Sequence, residues 1–366
     1  VYRRTETKPV WVGGVRIGGQ DRVVIQSMTT TDTRDVRATL AQIRRLADAG
    51  CEIVRLAVLN EEAAEALREI VRESPLPVVA DIHFSYRLAL KAIDAGVHKI
   101  RLNPGNIGGS ERVRAVVAAA RERRVPIRIG VNSGSVEREL LEKYGSPTAE
   151  AMVESALRHV EILEEEGFTD IVISLKSSDV PTMVAAYRKM AELRPYPLHV
   201  GVTEAGTFFA GGIKSAVGIG AVLLEGLGDT IRVSLAAPPE EEMRVAKAIL
   251  KSVGLPAGEP VVIACPACGR AQIDQISLAN RVEEAVRHLK VPIKIAVMGC
   301  AVNGPGEARE ADVGIAGGRG EGLIFRKGRV IRKVPEAQLF DALMEEVERL
   351  AAEWERENTP ASRPLP

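Results

Sequence analysis

The sequence predicts an α/β chain: a (β/α)8 TIM barrel followed by a smaller α+β domain. Short β-branched runs recur eight times between residues 23 and 236. Segments with helical spacing separate them, and strands alternating with helices imply parallel pairing. After a Pro/Gly-containing stretch, LPAGEP at 255–260, the pattern changes to strands and a hairpin with few helices.

The eight runs are VVIQSM (23–28), EIVRLA (52–57), PVVADI (77–82), KIRLNP (99–104), PIRIGV (126–131), DIVISLK (170–176), LHVGVTE (198–204) and TIRVSLA (230–236). Between them, segments such as VRATLAQIRRLADAG and EEAAEALREIVRE repeat apolar residues every three or four positions, the mark of an amphipathic helix. Gly50, Gly96 and Gly167 stand just before the next strand, where a helix ends on a left-handed residue. A short hairpin, VWVGGVRIGG (10–19), precedes the first run. Eight β/α units is the count of a closed barrel. The open doubly wound alternative lacks a G-x-G-x-x-G after its first strand. The barrel is therefore assigned to residues 1–255 and the second domain to 260–353. That domain takes in VVIAC, a helix at about 274–289, PIKIAVMGC, ADVGIAGG, the hairpin-like GLIFRKGRVIRKV and a closing amphipathic helix. Residues 354–366 read as a polar, disordered tail.

A chain of 366 residues is comfortable for two domains. Lysine plus arginine equals aspartate plus glutamate at 49 each, so no overall field recruits nucleic acid or an anionic membrane. No basic run is interleaved with aromatic residues, which argues against a nucleic-acid module. Three of the 4 cysteines belong to one constellation, so there is no disulfide framework. The N-terminal residues lack the apolar run of a signal peptide and no stretch is long enough to span a membrane, so the expected location is cytoplasmic.

That constellation is VVIACPACGRAQID (261–274) together with AVMGCAVNGPGEARE (296–310). Cys265 and Cys268 form a C-x-x-C pair, Cys300 is the third thiol, and Glu307 lies just beyond a Gly-Pro-Gly turn. Thiolates suit zinc or iron–sulfur clusters. Zinc usually takes four Cys or His ligands, and His288 lies within a helix, NRVEEAVRHLK, where a solvent-facing or helix-terminal role fits better. Three cysteines leave one iron of a four-iron cluster without a thiolate, which makes the cluster a Lewis acid as well as an electron carrier. A structural zinc site and a thiol–disulfide pair stay open as alternatives. Cys51 begins its strand at the opposite face of the barrel and reads as a buried small hydrophobe.

Barrel chemistry sits at the C-terminal strand ends. The residues there are Arg55, Asp81 with His83, Arg101 with Asn103 and Asn106, Arg128 with Asn132, Lys176, Thr203 with Glu204, and Arg232 with Ser234. An arginine in a barrel strand is costly unless it meets an anion or a carboxylate. Four strands supply one each and a fifth supplies a lysine, so converging on one mouth they call for a multiply charged anion. Guanidinium groups match phosphate oxygens bidentately, which points to a diphosphate. Any single arginine has a plainer reading as a salt-bridge partner, and Asp81 with His83 as a structural pair. Glu204 reads as a proton-transfer group because it is the strand-end carboxylate nearest the inferred anion. His199, early in its strand, reads as structural.

CPACGR followed by MGCAVNGPGEA resembles the 4-hydroxy-3-methylbut-2-enyl diphosphate synthase family, reductive iron–sulfur enzymes of the non-mevalonate isoprenoid pathway. MTTTDT, RLAV, ADIHF, IRLNPGN, RIGVNSGS, SLKSSD, VGVTEAG and RVSL match its blocks in order, and the length fits its bacterial two-domain form. The resemblance implies an iron–sulfur oxidoreductase with one [4Fe–4S] cluster per chain, held by Cys265, Cys268 and Cys300, with Glu307 on the fourth iron. The implied reaction is reductive ring opening and dehydroxylation of 2-C-methyl-D-erythritol 2,4-cyclodiphosphate to (E)-4-hydroxy-3-methylbut-2-enyl diphosphate. The implied diphosphate ligands are Arg55, Arg101, Arg128, Lys176 and Arg232, assisted by Asn132 and Ser135. Asp81, His83, Asn103, Thr203 and Ser234 complete the expected substrate site, and Glu204, Asn303 and Glu307 are the expected catalytic residues. A ferredoxin or flavodoxin donor and a homodimer with its site shared between chains also follow from the resemblance. The rivals outside this family are a zinc-stabilised, phosphate-binding barrel doing non-redox acid–base chemistry and a binding or electron-carrier module with a merely structural cluster.

Overall fold

The computed structural model describes residues 1–300, 306 and 310–358. The chain divides into two compact units, Val1–Leu255 and Pro256–Pro366.

In the first unit, β1 (Val10–Val12) and β2 (Val15–Ile17) form the expected antiparallel hairpin. Eight parallel strands follow: β3 (Val24–Met28), β4 (Ile53–Ala57), β5 (Val78–Asp81), β6 (Lys99–Arg101), β7 (Ile127–Asn132), β8 (Ile171–Lys176), β9 (His199–Val200) and β10 (Thr230–Ile231). Their order is β8-β7-β6-β5-β4-β3-β10-β9. A parallel bridge from Ile173 to Leu198 joins the two ends of that series and closes the barrel. All eight predicted runs contain strands, seven of them shorter than the run, while β7 keeps six residues shifted one position onward to Asn132. KIRLNP keeps only three residues, because Pro104 cannot donate to a ladder and opens a 3-10 turn over Pro104–Asn106.

The crossovers are α1 (Val36–Asp48), α2 (Glu61–Glu73), α3 (Tyr86–Asp94), α4 (Ser110–Arg123), α5 (Arg138–Tyr144), α6 (Ala149–Glu165), α7 (Val180–Leu193), α8 (Phe208–Leu224) and α9 (Pro239–Ser252). Side chains of Asp35, Asn60, Ser85, Thr148 and Asp179 accept N–H bonds at helix starts, satisfying donors that a helix leaves open. Gly50 and Gly96 take φ of +100° and +96°, the left-handed stop read from the sequence.

The hairpin plugs the N-terminal end of the barrel. Val12 and Ile17 pack with Val24, Ile53 and Val79, the lowest inward residues of β3, β4 and β5. Burying such side chains contributes roughly 1.5–3 kcal/mol each relative to exposure. With that end sealed by apolar groups, polar side chains fill the layers toward the C-terminal strand ends.

The second unit is a sheet of β11 (Val261–Ala264), β12 (Lys294–Met298), β13 (Val313–Gly318), β14 (Glu321–Arg326) and β15 (Arg329–Pro335), in that order. The first three strands are parallel, and β14 pairs antiparallel with both of its neighbours, β13 and β15. Helices α10 (Gln275–Ala285) and α11 (Leu339–Asn358) pack on it through Leu278, Val282, Leu343 and Val347 against Ile295, Val297 and Ile315. Two expectations are corrected. The helix expected over 274–289 ends at Ala285. Residues 354–358, assigned to the tail for their polarity, belong to α11, and Trp354 anchors them by packing against the core. Among the described residues no helix is long and apolar enough to cross a membrane.

Candidate active site

Residues two apart in a strand share a face. Lys99 and Arg101 of β6, Arg128 and Gly130 of β7, and Ser174 and Lys176 of β8 therefore all line the barrel interior. Strand pairing sets Asp81 beside Arg101 and Arg101 beside Arg128. Two glycines on this face make room for the cations. A Cβ on Gly130 would come within 3.0 Å of Arg101 Nε and Ser174 Oγ, and one on Gly201 within 3.1 Å of Lys176 Cε.

The cations outrun their partners. Arg55 lies 3.9 Å from Asp81 and donates to Met28 Sδ at 3.1 and 3.3 Å. Arg101 is also 3.9 Å from Asp81, and it donates to the Gly130 carbonyl at 2.9 Å. Arg128, only 1% exposed, donates from one terminal nitrogen to Ser174 Oγ at 2.7 Å. Its Nε and other terminal nitrogen, like Nε of Arg232, have no partner among the described residues. A buried donor without a partner is expensive, so this mouth is a set of donors for which the described residues supply too few acceptors.

Protonation follows the same logic. Burial, reinforced by the charges of Arg55 and Arg101, pushes the Arg128 guanidinium well below its ordinary proton affinity. Burial and the surrounding arginines do the same to Lys176. Burial and Arg55 bring Arg232 to about 10. Burial alone would raise the Asp81 carboxyl, but the His83 hydrogen bond and the charges of Arg55 and Arg101 outweigh it and hold Asp81 ionised, well below the usual range. The carboxylate amid the arginines is thus Asp81, whereas Glu204 is exposed and not within ion-pair distance of them, contrary to the expectation that Glu204 stands nearest the anion.

The remaining predicted residues divide. His83, half exposed, links Asp81 (3.5 Å) and Arg101 (3.2 Å). The Asn103 amide exchanges two hydrogen bonds with the Gly130 backbone, at 2.9 and 3.0 Å. Asn132 and Ser135 close a small turn on each other, the Ser135 hydroxyl meeting the Asn132 backbone at 3.0 and 3.1 Å. Thr203 and Ser234 are half-buried at strand ends, and Asn106 is exposed in its turn. Glu204 holds a left-handed backbone, φ +52°. Cys51 is buried, its thiol pushed up to about 12 by burial. His199 is fully buried in β9. Four participants were missed from sequence: Lys99, Gln26, Ser174 and Glu242. Lys99 and Ser174 were legible by parity with Arg101 and Lys176. Glu242, third of three glutamates opening α9, carried no signal. It is buried, accepts from Leu235 N–H at 3.1 Å, and burial raises its carboxyl.

In the second unit, Cys265 follows β11 and Cys300 follows β12, so the two leave the same edge of adjacent parallel strands. Cys265 Sγ accepts N–H bonds from Gly299 (3.2 Å) and the Gln275 amide (3.3 Å). A Cβ at position 299 would overlap that amide, so the glycine is what admits Gln275. Cys300 is buried, Cys268 is exposed, and Cys265 and Cys268 are not joined in a disulfide. Among the described residues no three His, Cys, Asp or Glu side chains are gathered closely enough to hold a metal. The donor chemistry nevertheless fits an iron–sulfur centre: three thiols in one domain, one already receiving the N–H···S bonds that tune cluster sulfur. Asn303 and Glu307 lie outside the described residues.

Both units of the chain match domains of one known family. Residues 7–247 match the GcpE TIM-barrel domain and residues 261–349 the GcpE protein C-terminal domain. A Brevibacillus brevis protein named 4-hydroxy-3-methylbut-2-en-1-yl diphosphate synthase (flavodoxin) is 66% identical over 96% of this chain and 98% of its own length. Proteins of the same name from Geobacillus thermodenitrificans and Bacillus cytotoxicus are 60% and 59% identical, over 97% and 96% of this chain and 95% and 96% of theirs. With both domains matched in order and identity sustained across nearly its whole length, the chain belongs to the GcpE family.

Proposed function

We propose that this chain is a 4-hydroxy-3-methylbut-2-enyl diphosphate synthase acting in isoprenoid biosynthesis. It converts 2-C-methyl-D-erythritol 2,4-cyclodiphosphate to (E)-4-hydroxy-3-methylbut-2-enyl diphosphate, taking two electrons and releasing one oxygen as water. The observation that carries the reading is the excess of buried, under-partnered cations at one end of a sealed barrel. Arg55, Arg101, Arg128, Lys176 and Arg232 bind the diphosphate, and each charge-assisted bond contributes about 1.5–3 kcal/mol. The orphan donors of Arg128 and Arg232 gain acceptors on binding. Asp81 and His83 hold Arg55 and Arg101 in place, and Asn103 fixes the backbone from which Arg128 projects. Asn132, Ser135, Thr203 and Ser234 offer amide and hydroxyl groups at the rim. Glu204 handles the proton as the hydroxyl leaves, and Asn303 orients the substrate.

Cys265, Cys268 and Cys300 hold a [4Fe–4S] cluster, with Glu307 as the harder, exchangeable ligand on the remaining iron. When bound, the cluster supplies electrons and a Lewis-acidic iron for the C–O bond. The donor is a flavodoxin, as in the relatives' name, or a ferredoxin in the same role, and the enzyme works in the cytoplasm as a homodimer whose site is shared between chains. What supports pairing is α8, which has one charged residue, Lys214, in 17 and exposes Phe209, Ile213, Val217 and Leu224 along its length.

The test is anaerobic purification with iron, sulfide and zinc analysis, and EPR of the reduced protein with and without the cyclodiphosphate. About four irons and four sulfides per chain and a substrate-dependent spectrum are expected. Zinc without sulfide would leave an anion-binding barrel without reductive chemistry.

A further inference from the structure

Deeper in the barrel than the mouth lies a wholly buried polar layer that the reaction as described leaves unused. Lys99, Gln26 and His199 are all 0% exposed. The Lys99 ammonium nitrogen has one hydrogen bond, 3.3 Å to Oε1 of neutral Gln26 on β3. The charges acting on it share its sign, Arg128 from β7 and Arg55 from β4. His199 on β9 faces Lys99, Arg128 and Lys176 of β8, with both ring nitrogens unpartnered among the described residues. The carboxylates of the mouth act elsewhere: Asp81 of β5 on Arg55, Arg101 and Arg128, and Glu242 of α9 on Arg232 and Lys176. Glu242 therefore acts on Lys176, whereas no carboxylate among the described residues acts on Lys99.

An ammonium ion there is sealed from bulk solvent and has no counter-charge acting on it among the described residues, and isolated buried charges neutralise rather than persist. Burial first, then Arg128 and Arg55, hold the Lys99 amine far below ordinary lysine proton affinity. A bound diphosphate reverses the second cause, since its negative charge offsets the field of those same two arginines.

We propose that Lys99 takes up a proton from solvent when the anion occupies the arginine mouth, so that diphosphate binding and protonation of this buried amine form one linked equilibrium. The inference rests on the diphosphate reading of the mouth. The balance is simple: neutral amine, proton and anion become ammonium and bound anion, with no bond to carbon or phosphorus altered. The free barrel thereby carries one cation fewer to repel the others, and the loaded barrel gains one. Linkage fixes the sign, because uptake on binding makes affinity fall as pH rises, by about tenfold per pH unit for each proton taken up.

The test is titration calorimetry of the oxidised holoenzyme with 2-C-methyl-D-erythritol 2,4-cyclodiphosphate, without reductant so that nothing turns over. Each phosphorus of this ligand carries a single strongly acidic oxygen, so the ligand holds its charge through the neutral and mildly alkaline range and donates no proton. Binding enthalpies in buffers of different ionisation enthalpy count the protons exchanged. Wild type should take up protons, approaching about one per site from Lys99, and Lys99→Met should lose that share together with its part of the pH slope. Should Lys99→Met not fold, Lys99→Gln carries the same comparison, and the pH slope of the wild type stands by itself. Tight binding without uptake, or uptake undiminished in the Lys99 variants, overturns the proposal and leaves the diphosphate site intact. Absence of any binding to wild type would instead sink the diphosphate reading, and this inference with it.

Discussion

Asn103 and Gly130 exchange two hydrogen bonds, the Asn103 amide donating to the Gly130 carbonyl at 2.9 Å and the Gly130 N–H donating back to the side-chain oxygen at 3.0 Å. The pair clamps the loop after β6 to β7 midway between Arg128 and Asn132. Asn103→Ala orphans the Gly130 N–H in a buried setting, a loss of about 1–3 kcal/mol. A lowered unfolding temperature is expected, with cyclodiphosphate affinity reduced less than in Arg101→Ala. Affinity falling as far as in Arg101→Ala, at unchanged stability, would make Asn103 a ligand contact instead.

Arg128 tests whether the site is kept at the expense of stability. Its guanidinium is fully buried with one hydrogen bond, to Ser174, and its charged neighbours are mostly cations. Replacing buried charge with well-packed apolar groups is often neutral or stabilising, by about 1–4 kcal/mol. Arg128→Met should therefore match or exceed the wild type in thermal unfolding without anion, yet gain nothing from added inorganic pyrophosphate, which should stabilise the wild type. A variant that unfolds earlier and still responds to pyrophosphate would show that Arg128 serves the core rather than the ligand.

Much of this was legible in the chain because barrel physics writes itself locally. β-branched runs, helix-stopping glycines and inward arginines at matching positions each follow from nearest-neighbour rules. What stayed hidden depended on which face a residue takes in a very short strand. Lys99 looks like the polar start of a strand until its two-residue spacing from Arg101 is used, and then it must point inward. Glu242 was hidden for another reason: three successive glutamates at a helix start look like dipole-complementing surface charge, and only the tertiary packing buries the third. For Asn103 the sequence shows an amide beside a loop but not the Gly130 backbone to which it is bonded.

Asp229 gives a pH signature separate from the site. It ties the N-terminal segment to the barrel, bonding Thr7 Oγ1 and accepting the Leu198 N–H, both at 2.7 Å. Burial, against those bonds and Arg4, raises its carboxyl to about 7. A group with a raised folded value stabilises below the unfolded value, near 3.9, and that contribution declines as pH rises toward 7. The unfolding temperature of wild type relative to Asp229→Asn should accordingly fall between about pH 4 and pH 7 and then level off. A difference independent of pH would place the Asp229 proton affinity in the ordinary range.

The proposed homodimer can be tested in two ways. Ile213→Glu with Val217→Glu puts charge on the exposed α8 stripe, where both side chains are more than half exposed, 51% and 58%. Sedimentation should shift from dimer to monomer while the barrel stays folded. Separately, inactive Cys300→Ala and Arg101→Ala chains, mixed so that dimers exchange, should regain part of the wild-type turnover if each site draws on both chains. Mixed dimers that form and stay inactive would restrict each site to one chain.

Glu204 carries the last expectation, because its backbone is as informative as its carboxylate. A side chain at φ +52° sits where L-residues are disfavoured by roughly 1–2 kcal/mol, and such outliers persist where the surroundings over-determine them, often at functional sites. Two variants separate backbone from carboxylate. Glu204→Gly relieves the left-handed conformation, so stability should be equal or higher by up to about 1 kcal/mol, with turnover lost. Glu204→Gln keeps the strain and the shape but cannot carry the proton, so it should bind the cyclodiphosphate nearly as wild type does while turnover collapses. If Glu204→Gln turned over normally, proton delivery would belong to another group, and the left-handed turn would be serving the geometry of the loop alone.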